Sequence, residues 1–248
     1  MNKKLLTQIK NEWRSNLWLV TELLLVSVVM WYIVDYMYVK AAVYYEPRGF
    51  DISHCYLIQM GRLTDKSPDF IPNQTKEQQR EDVKGLAERL KYRPDIEAVG
   101  FGQNSYPYNG SNSGTEVRYD TLQSPGWTIR RLVSPDFVRV FQYHGTRGET
   151  PEQLAELLSH PKNFLASDNL YKKRYGRDLT PLVGKQFYLF GDTTETYTLG
   201  ASLEVVRYSD YEQAWNSYSM VKLLPENWYD VGPVSYTHLR AHETKANL

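Results

Sequence analysis

The sequence predicts an α+β fold in which one N-terminal transmembrane helix is followed by a mixed α/β domain on the far side of the membrane. Two observations lead to this prediction. An apolar run from Leu17 to Val34 is interrupted only by Thr21, Glu22, Ser27 and Tyr32. After it, segments rich in strand-forming residues alternate with segments that carry helix-capping signals, which is the pattern of a layered α+β domain.

The apolar run is long enough to cross a bilayer. As a helix, residues 17–39 extend about 34 Å, which exceeds the hydrocarbon thickness of about 30 Å. Cations precede the run and none follows it until Lys40, so the positive-inside rule predicts a cytoplasmic N-terminus. The alternative is a signal peptide cleaved after Ala41, but the run exceeds the about 7–15 apolar residues of such a segment. We therefore predict an uncleaved anchor.

The segment before the span, residues 1–16, is amphipathic. Its apolar residues recur at helical spacing with cations between them, which is typical of a helix at the membrane interface and also of a simple cationic leader. Aromatic residues at both ends of the apolar run favour a span over a buried helix of a soluble domain. We predict a leader at 1–16, a transmembrane helix at 17–39 and an exterior domain at 40–233.

Residues 234–248 form a tail that does not resemble natural sequence. The stretch from Val234 to Thr244 matches a one-frame translation of a transposase-type sequencing adapter. We therefore expect the natural chain to be broken at about Pro233 and the tail to be an artefact. The alternative is a genuine polar tail, in which His238 and His242 could share a metal ion on one helix face.

Composition limits the classes of function. The formal net charge is zero, so the chain lacks the basic surface of a nucleic-acid-binding protein and we expect no nucleic acid as partner. Twenty tyrosines and 14% aromatic residues predict a packed exterior domain. A single cysteine cannot form an internal disulfide, so we expect Cys55 to be a buried small apolar residue, with intermolecular pairing as the alternative.

Three helices of the exterior domain are predicted from their termini. Thr75 with Gln78 has the spacing of a capping box, and Thr150 followed by Pro151 pairs a cap residue with a first-turn proline. From these cap residues and from the helix-breaking residues further along the chain, we predict helices over 76–92, 151–160 and 168–175. Gly176 ends the last of them.

Strands are predicted between these helices from β-branched and aromatic composition and from turn residues. They cover 49–60, 96–101, 115–122, 127–133, 163–166, 186–190 and 196–206. The segment 103–114 is rich in Asn, Ser and Gly, so we expect a flexible loop too polar to pack.

Short motifs with a recognisable spacing lie along the domain: Val133-Ser134-Pro135-Asp136-Phe137, Gly145 and Gly148, Asn163 to Ser167, Tyr175-Gly176 and Leu182-Val183-Gly184-Lys185. Together they resemble the extracytoplasmic core domain of MacB-like and FtsX-like ABC transporter permeases. The segment from Pro94 to Val99 is similar to the strand after the first exterior helix of that family. The opening of the chain, Trp13 to Leu19 with Glu22-Leu23, also resembles those permeases.

The resemblance covers about residues 1–233 and implies a non-catalytic membrane subunit. It implies a periplasmic core domain, a cytoplasmic N-terminus and a place in the bacterial inner membrane. The implied partners are membrane lipid, a separate ATP-binding subunit and a second permease subunit, with the ATPase driving export or force transmission. Permeases of this family have three further helices, so the resemblance agrees with a truncated chain. A complete bitopic protein with a periplasmic binding or scaffold domain stays open as the alternative.

The sequence contains no catalytic motif, so we expect no enzymatic activity and no cofactor. Gly184-Lys185 lacks the upstream glycine and the following hydroxyl residue of a P-loop. Ser111 lies in a polar loop rather than in a nucleophile elbow. No second metal-type ligand lies at motif spacing from any of the histidines His54, His144 and His160.

Glu22 is the one candidate site residue. Insertion of an ionisable side chain into a membrane span costs up to about 2.5–3.5 kcal/mol of free energy at mid-bilayer. Such a side chain therefore usually faces protein or water. The sequence therefore predicts a helix contact within the membrane at Glu22. A protonated side chain, or one that reaches the cytoplasmic headgroups, stays open as the alternative.

Overall fold

The computed structural model describes residues 7, 10–60, 63–103, 105–109, 113–125, 128–214, 216–224 and 235–241. At residues 14–16, 59–60 and 235–241 it describes the backbone alone. The chain divides into two units. One comprises Met1–Pro47 with Asp210–Glu212, and the other comprises Arg48–Ser209 with Gln213–Leu248.

The first unit is built on one long helix, α1 (Trp13–Tyr44). The most apolar 18-residue stretch of its segment Leu17–Tyr44 has a mean hydropathy of 2.1 and is entirely exposed. By length and composition this helix could cross a membrane, whereas a core helix of a soluble domain would be buried. The helix continues beyond the predicted end at residue 39, because Lys40, Ala41 and Ala42 are good helix formers. The predicted leader lies mostly outside the described residues.

The second unit is a mixed α/β domain. Its helices are α2 (Lys76–Lys91), α3 (Phe137–Val140), α4 (Pro151–Ser159) and α5 (Lys172–Tyr175). Its strands are β1 (Cys55–Met60), β2 (Ile96–Gln103), β3 (Ser113–Thr115), β4 (Val117–Tyr119), β5 (Leu122–Gln123), β6 (Thr128–Val133), β7 (Asn163–Ser167), β8 (Gln186–Leu189), β9 (Thr196–Leu203), β10 (Tyr218–Lys222) and β11 (Ser235–Ala241).

The strands form one sheet in the order β1-β11-β2-β6-β10-β7-β9-β8-β4-β5, and β3 pairs with β6. Within the described residues, the parallel pairs are β6 with β10 and β7 with β9, and the other pairs are antiparallel. An N-terminal apolar helix followed by a mixed α/β domain is the predicted fold class, and the structure confirms it.

The core occupies both faces of the sheet. Leu165 and Met220 belong to one apolar cluster, which packs against α3 and α4. Their strand neighbours Phe164 and Val221 belong to a second cluster, which includes Leu170 and Leu179. Because successive side chains of a strand point to opposite faces, two core layers follow from the alternation of apolar residues in β7 and β10.

The predicted capping box at Thr75 is present, and Thr150, which was predicted as a cap residue before Pro151, begins a capping box as well. The Thr75 hydroxyl accepts from the Gln78 backbone N–H, and the Gln78 side chain accepts in return from the Thr75 N–H. Thr150 and Gln153 make the same reciprocal pair at the start of α4. These local signals therefore located the helices correctly.

Two other predictions were wrong in part. The described part of the predicted flexible loop, 105–109, contains buried Ser105 and Asn109, and the Ser105 hydroxyl donates to the Leu132 carbonyl. The Ser105 side chain packs because the backbone carbonyls of Gln103 and Leu132 satisfy it. The predicted strand 115–122 is instead β4 and β5 joined by a tight turn, with Asp120 at a positive φ of 50°.

Candidate functional site

Glu22, the predicted site residue, lies in the apolar part of α1 with its side chain exposed. The preceding residue, Thr21, donates its hydroxyl to the Leu17 carbonyl at 2.7 Å, which satisfies that side chain within the helix. The surface around Glu22 is apolar, with Leu19 and Leu23 more than half exposed. Burial of this surface therefore requires lipid or another helix.

The C-terminal end of α1 makes a polar and aromatic contact with Tyr211, which belongs to the same unit. The Lys40 ammonium donates to the Tyr211 carbonyl at 2.8 Å. The Tyr44 and Tyr211 rings stack with centroids 5.7 Å apart. Lys40 also lies 5.7 Å above the Tyr36 ring, so the helix end presents a belt of aromatic groups around one cation.

The Val133 to Phe137 motif forms the turn between β6 and α3. Ser134 extends the pairing with β2, since its N–H donates to the Phe101 carbonyl at 2.8 Å and its hydroxyl accepts from the Phe101 N–H at 2.9 Å. The Phe137 N–H then donates to the Ser134 carbonyl, and the Phe137 side chain is fully buried. The motif therefore anchors α3 to the sheet and carries no reactive group.

Two glycines of β2 allow α3 to pack closely. A Cβ atom on Gly100 would lie 2.8 Å from the Phe137 Cα and 3.1 Å from its backbone N. On Gly102 a Cβ atom would lie 2.7 Å from the Ser105 Cβ and 3.2 Å from the Phe137 ring. Because real Cβ atoms do not approach so closely, the packing of α3 requires glycine at these positions.

An ion-pair network joins three helices around the same turn. The Asp136 carboxylate accepts from the Lys91 ammonium of α2 at 2.7 Å and from the Arg139 guanidinium of α3 at 3.2 Å. Arg139 is also 3.9 Å from the Glu152 carboxylate of α4. Partly exposed pairs of this kind each contribute little stability, but together they orient the helices.

The other motif glycines occupy turns that need a positive φ. Gly176 ends α5 in the left-handed conformation at φ 63°, as the C-cap prediction required. Gly184 has φ 87°, and its N–H donates to the Leu199 carbonyl at 2.8 Å. Gly148 has φ 88° and closes the turn that begins at Gly145. These glycines therefore shape the backbone at turns of the domain.

Asp168 organises the loop after β7, a role that sequence analysis missed. Its carboxylate accepts from the N–H groups of Leu179 and Thr180 and from the hydroxyls of Thr180 and Ser202, at 2.7–3.0 Å. Burial opposes the charged form, but these hydrogen bonds outweigh it and lower the pKa of Asp168. Its partners lie up to 34 residues away, so no local pattern could have identified them.

A buried cation and two tyrosines lie within the first core layer. Arg131 is 3% exposed, and its guanidinium lies 5.4 Å from the centroid of the Tyr218 ring. Burial raises the pKa of Tyr218 to about 12 although the nearby Arg131 charge lowers it, and burial also raises the pKa of Tyr143. Both hydroxyls therefore stay protonated at neutral pH and are not poised to act as bases.

The residues tested for chemistry are not brought together. His54, His144 and His160 are all exposed, as expected of surface histidines. Among the described residues, no three His, Cys, Asp or Glu side chains form a group able to hold a metal ion. Cys55 is half-buried rather than fully buried, and its thiol donates to the Val140 carbonyl at 3.3 Å. Ser111 and His242 lie outside the described residues.

No family model and no curated protein matches this sequence. Among solved structures, the chain is similar to the extracellular domain of the noncanonic ABC-type transporter YknZ from Gram-positive bacteria, with 14% identity, a TM-score of 0.42, and coverage of 76% of this chain and 83% of that one. It is also similar to the periplasmic region of MacB from Actinobacillus actinomycetemcomitans, with 11% identity, a TM-score of 0.44, and coverage of 83% of this chain and 82% of that one. The first of these is an extracellular domain and the second is a periplasmic region.

Proposed function

We propose that this chain is a non-catalytic transmembrane subunit, or part of one, of an ABC transporter in the bacterial inner membrane. The observation that carries the proposal is the combination of two features in one chain. An exposed apolar helix precedes the domain, and the permease-like motifs form turns within that domain. A protein that transmits motion needs a rigid domain attached to a membrane element, and it needs no reactive groups of its own.

In this proposal, a separate subunit hydrolyses ATP. The chain has no P-loop, and Gly184-Lys185 serves as a turn between the 3₁₀ turn Thr180–Leu182 and β8. A second permease subunit, identical or different, completes the transporter, and the periplasmic domain couples the ATPase to export or to force transmission. Fixed helices around Asp136 would let the domain move as one body.

The partner ATPase is tested with the uninterrupted reading frame. The affinity-tagged complete protein, extracted in mild detergent, should co-purify with a P-loop protein whose ATP hydrolysis changes when the tagged protein is present. A variant lacking residues 17–39 is the control, and it should not retain the ATPase. A natural stop codon near 233 together with no associated ATPase would instead favour a bitopic binding or scaffold protein.

Topology is tested by thiol labelling in a Cys55→Ser background. We expect Tyr92→Cys, at a side chain that is 88% exposed, to react with an impermeant maleimide in intact spheroplasts. Lys10→Cys, at an exposed position before the span, should react only after the membrane is permeabilised. The opposite pattern would place the N-terminus outside the cell and contradict the proposal.

Glu22 is proposed to contact another helix within the membrane. Glu22→Gln removes the charge and keeps the shape, so we expect weaker assembly of the complete protein, measured as the complex recovered on native gels after detergent extraction. Asp35→Asn, near the other end of α1, is the matched control. Unchanged assembly of the Glu22→Gln protein would mean that Glu22 reaches the headgroups or is protonated.

A further inference from the structure

One strand of the sheet is inserted between two strands that come much earlier in the chain. β11 pairs antiparallel with β1, from Cys55 opposite Arg240 to Met60 opposite Ser235. On its other edge β11 pairs antiparallel with β2, from Gln103 opposite Ser235 to Ile96 opposite Ala241. β1 and β2 therefore run parallel, separated by two strand spacings of about 4.8 Å each. We call the space between them the strand slot.

The attachment of β1 depends on this slot. In the described part of the chain, β11 is the one strand that pairs with β1. β2 has a second neighbour, β6, but pairs with it only at Gly102 and Gln103. Main-chain hydrogen bonds through β11 therefore connect β1 to the remainder of the sheet.

Helix α2 holds the two edges of the slot at this separation. It connects β1 to β2 and packs Ala87 against Val99 and Phe101 of β2, and Ile58 of β1 joins the same apolar cluster. A strand, a helix and a parallel strand with room for one strand between them form a split βαβ unit. The width of the slot is thus set by residues that precede β11.

We propose that the strand slot is a binding site for an extended peptide segment, recognised by main-chain hydrogen bonds along both edges, so that its occupant Ser235–Ala241 is replaceable by other sequences without proline. An antiparallel strand between two neighbours directs its N–H and C=O groups alternately to each side, and all of them can be paired whatever the side chains are. If residues 234–248 derive from an adapter, as the sequence predicts, an unselected sequence would occupy the slot, which agrees with such tolerance.

The test compares the full chain with a chain ending at Pro233, both in detergent, by hydrogen exchange read by mass spectrometry. Removal of the tail should abolish the amide protection of β1 and of 97–100, while β7, β10 and the Phe101 amide, which donates to the Ser134 hydroxyl, keep theirs. A synthetic peptide covering 234–242 should restore the protection, and a scrambled peptide of the same composition should restore it equally. The same peptide with N-methyl groups at the positions of Thr237 and Leu239 should fail, because it lacks two N–H donors.

Two results would overturn the proposal. Unchanged protection of β1 after removal of the tail would show that β1 does not depend on the slot. Restoration by the original peptide but not by the scrambled one would show that side chains decide the binding.

A second measurement guards against a truncated chain that does not fold. In the full chain, Thr237→Pro should expose β1 to exchange, and a scrambled 235–241 segment should not. The protection of β1 in the full chain should not change on dilution, since a strand supplied by a second copy would be released at low concentration and would contradict occupation within one chain.

Discussion

At the scale of single residues, the glycines differ in the space that an added methyl group would meet. Gly100 faces the backbone of Phe137, which cannot move without displacing α3 from the sheet. In α2, a Cβ atom on Gly85 would have no other atom within 4 Å, so substitution of this glycine by alanine meets open space. These two positions form a matched pair.

We expect Gly100→Ala to lower the free energy of unfolding by about 1–3 kcal/mol, because the added methyl group overpacks a rigid contact. Gly85→Ala should raise it by up to about 1 kcal/mol, because alanine is the better helix former. Urea unfolding followed by circular dichroism measures both. An unchanged free energy of unfolding in the Gly100→Ala protein would mean that α3 is not held against β2.

Asp168 is the residue with the clearest effect of pH. Its pKa is lower in the folded chain than in the unfolded one, so its contribution to stability is present above the ordinary value of about 3.9 and is lost as pH falls through the folded pKa. We expect Asp168→Asn to lower the free energy of unfolding at pH 7 by about 1–3 kcal/mol, because hydrogen bonds to a charge are lost.

The difference between the Asp168→Asn and natural proteins should shrink as the pH is lowered below about 4, as measured by urea unfolding at several pH values. Asp192→Asn is the comparison variant, because in the described part of the chain the hydrogen bonds to Asp192 come from Thr194 in an exposed turn, so we expect a smaller difference at pH 7. A pH-independent difference would show that the shape of Asp168 and not its charge is required.

At the scale of elements, the helix starts are set by local hydrogen bonds. Thr150→Ala removes the acceptor for the Gln153 N–H, so we expect a loss of about 1 kcal/mol in the free energy of unfolding. Thr150→Ser keeps the hydroxyl and should stay close to the natural protein. Chemical denaturation compares the two variants, and equal stabilities would mean that the cap contributes nothing.

Elements with local signals could be predicted from the sequence, and those with distant partners could not. The termini of α2 and α4 depend on residues three apart, so capping patterns located them. The turn at Asp120 divides a stretch that reads as one strand, because the pairing of β4 with β8 lies far along the chain. β10 was missed for the same reason, because its place in the sheet depends on pairing with β6 and β7. Residues 235–241 were expected to belong to an artefact tail, and the structure has β11 there.

The residues singled out in the candidate site also differ in whether the local sequence makes them visible. Glu22 could be identified because a charge within an apolar run is visible in the sequence. The motif at Val133 to Phe137 could be identified as a pattern, but its role in holding α3 required the packing of Gly100. Asp168 and Arg131 could not be identified, because burial and contacts across the sheet make them unusual.

At the scale of the whole molecule, the apolar surface of α1 dominates the expected behaviour in solution. A helix with Leu17–Tyr44 exposed requires lipid, so we expect the chain to remain in the membrane pellet after alkaline carbonate extraction. Deletion of residues 17–39 should release the chain into the supernatant. The presence of the complete chain in the supernatant would contradict a membrane span.

The insertion of β11 between β1 and β2 also sets an order for biosynthesis. At elongation rates of about 5–20 residues per second, on the order of 10 s separates the emergence of β2 from that of β11. During that interval the edges of two nascent strands have no partner, and unpaired strand edges promote aggregation. The facing edges of β1 and β2 would therefore stay open to aggregation until Ser235–Ala241 has been translated.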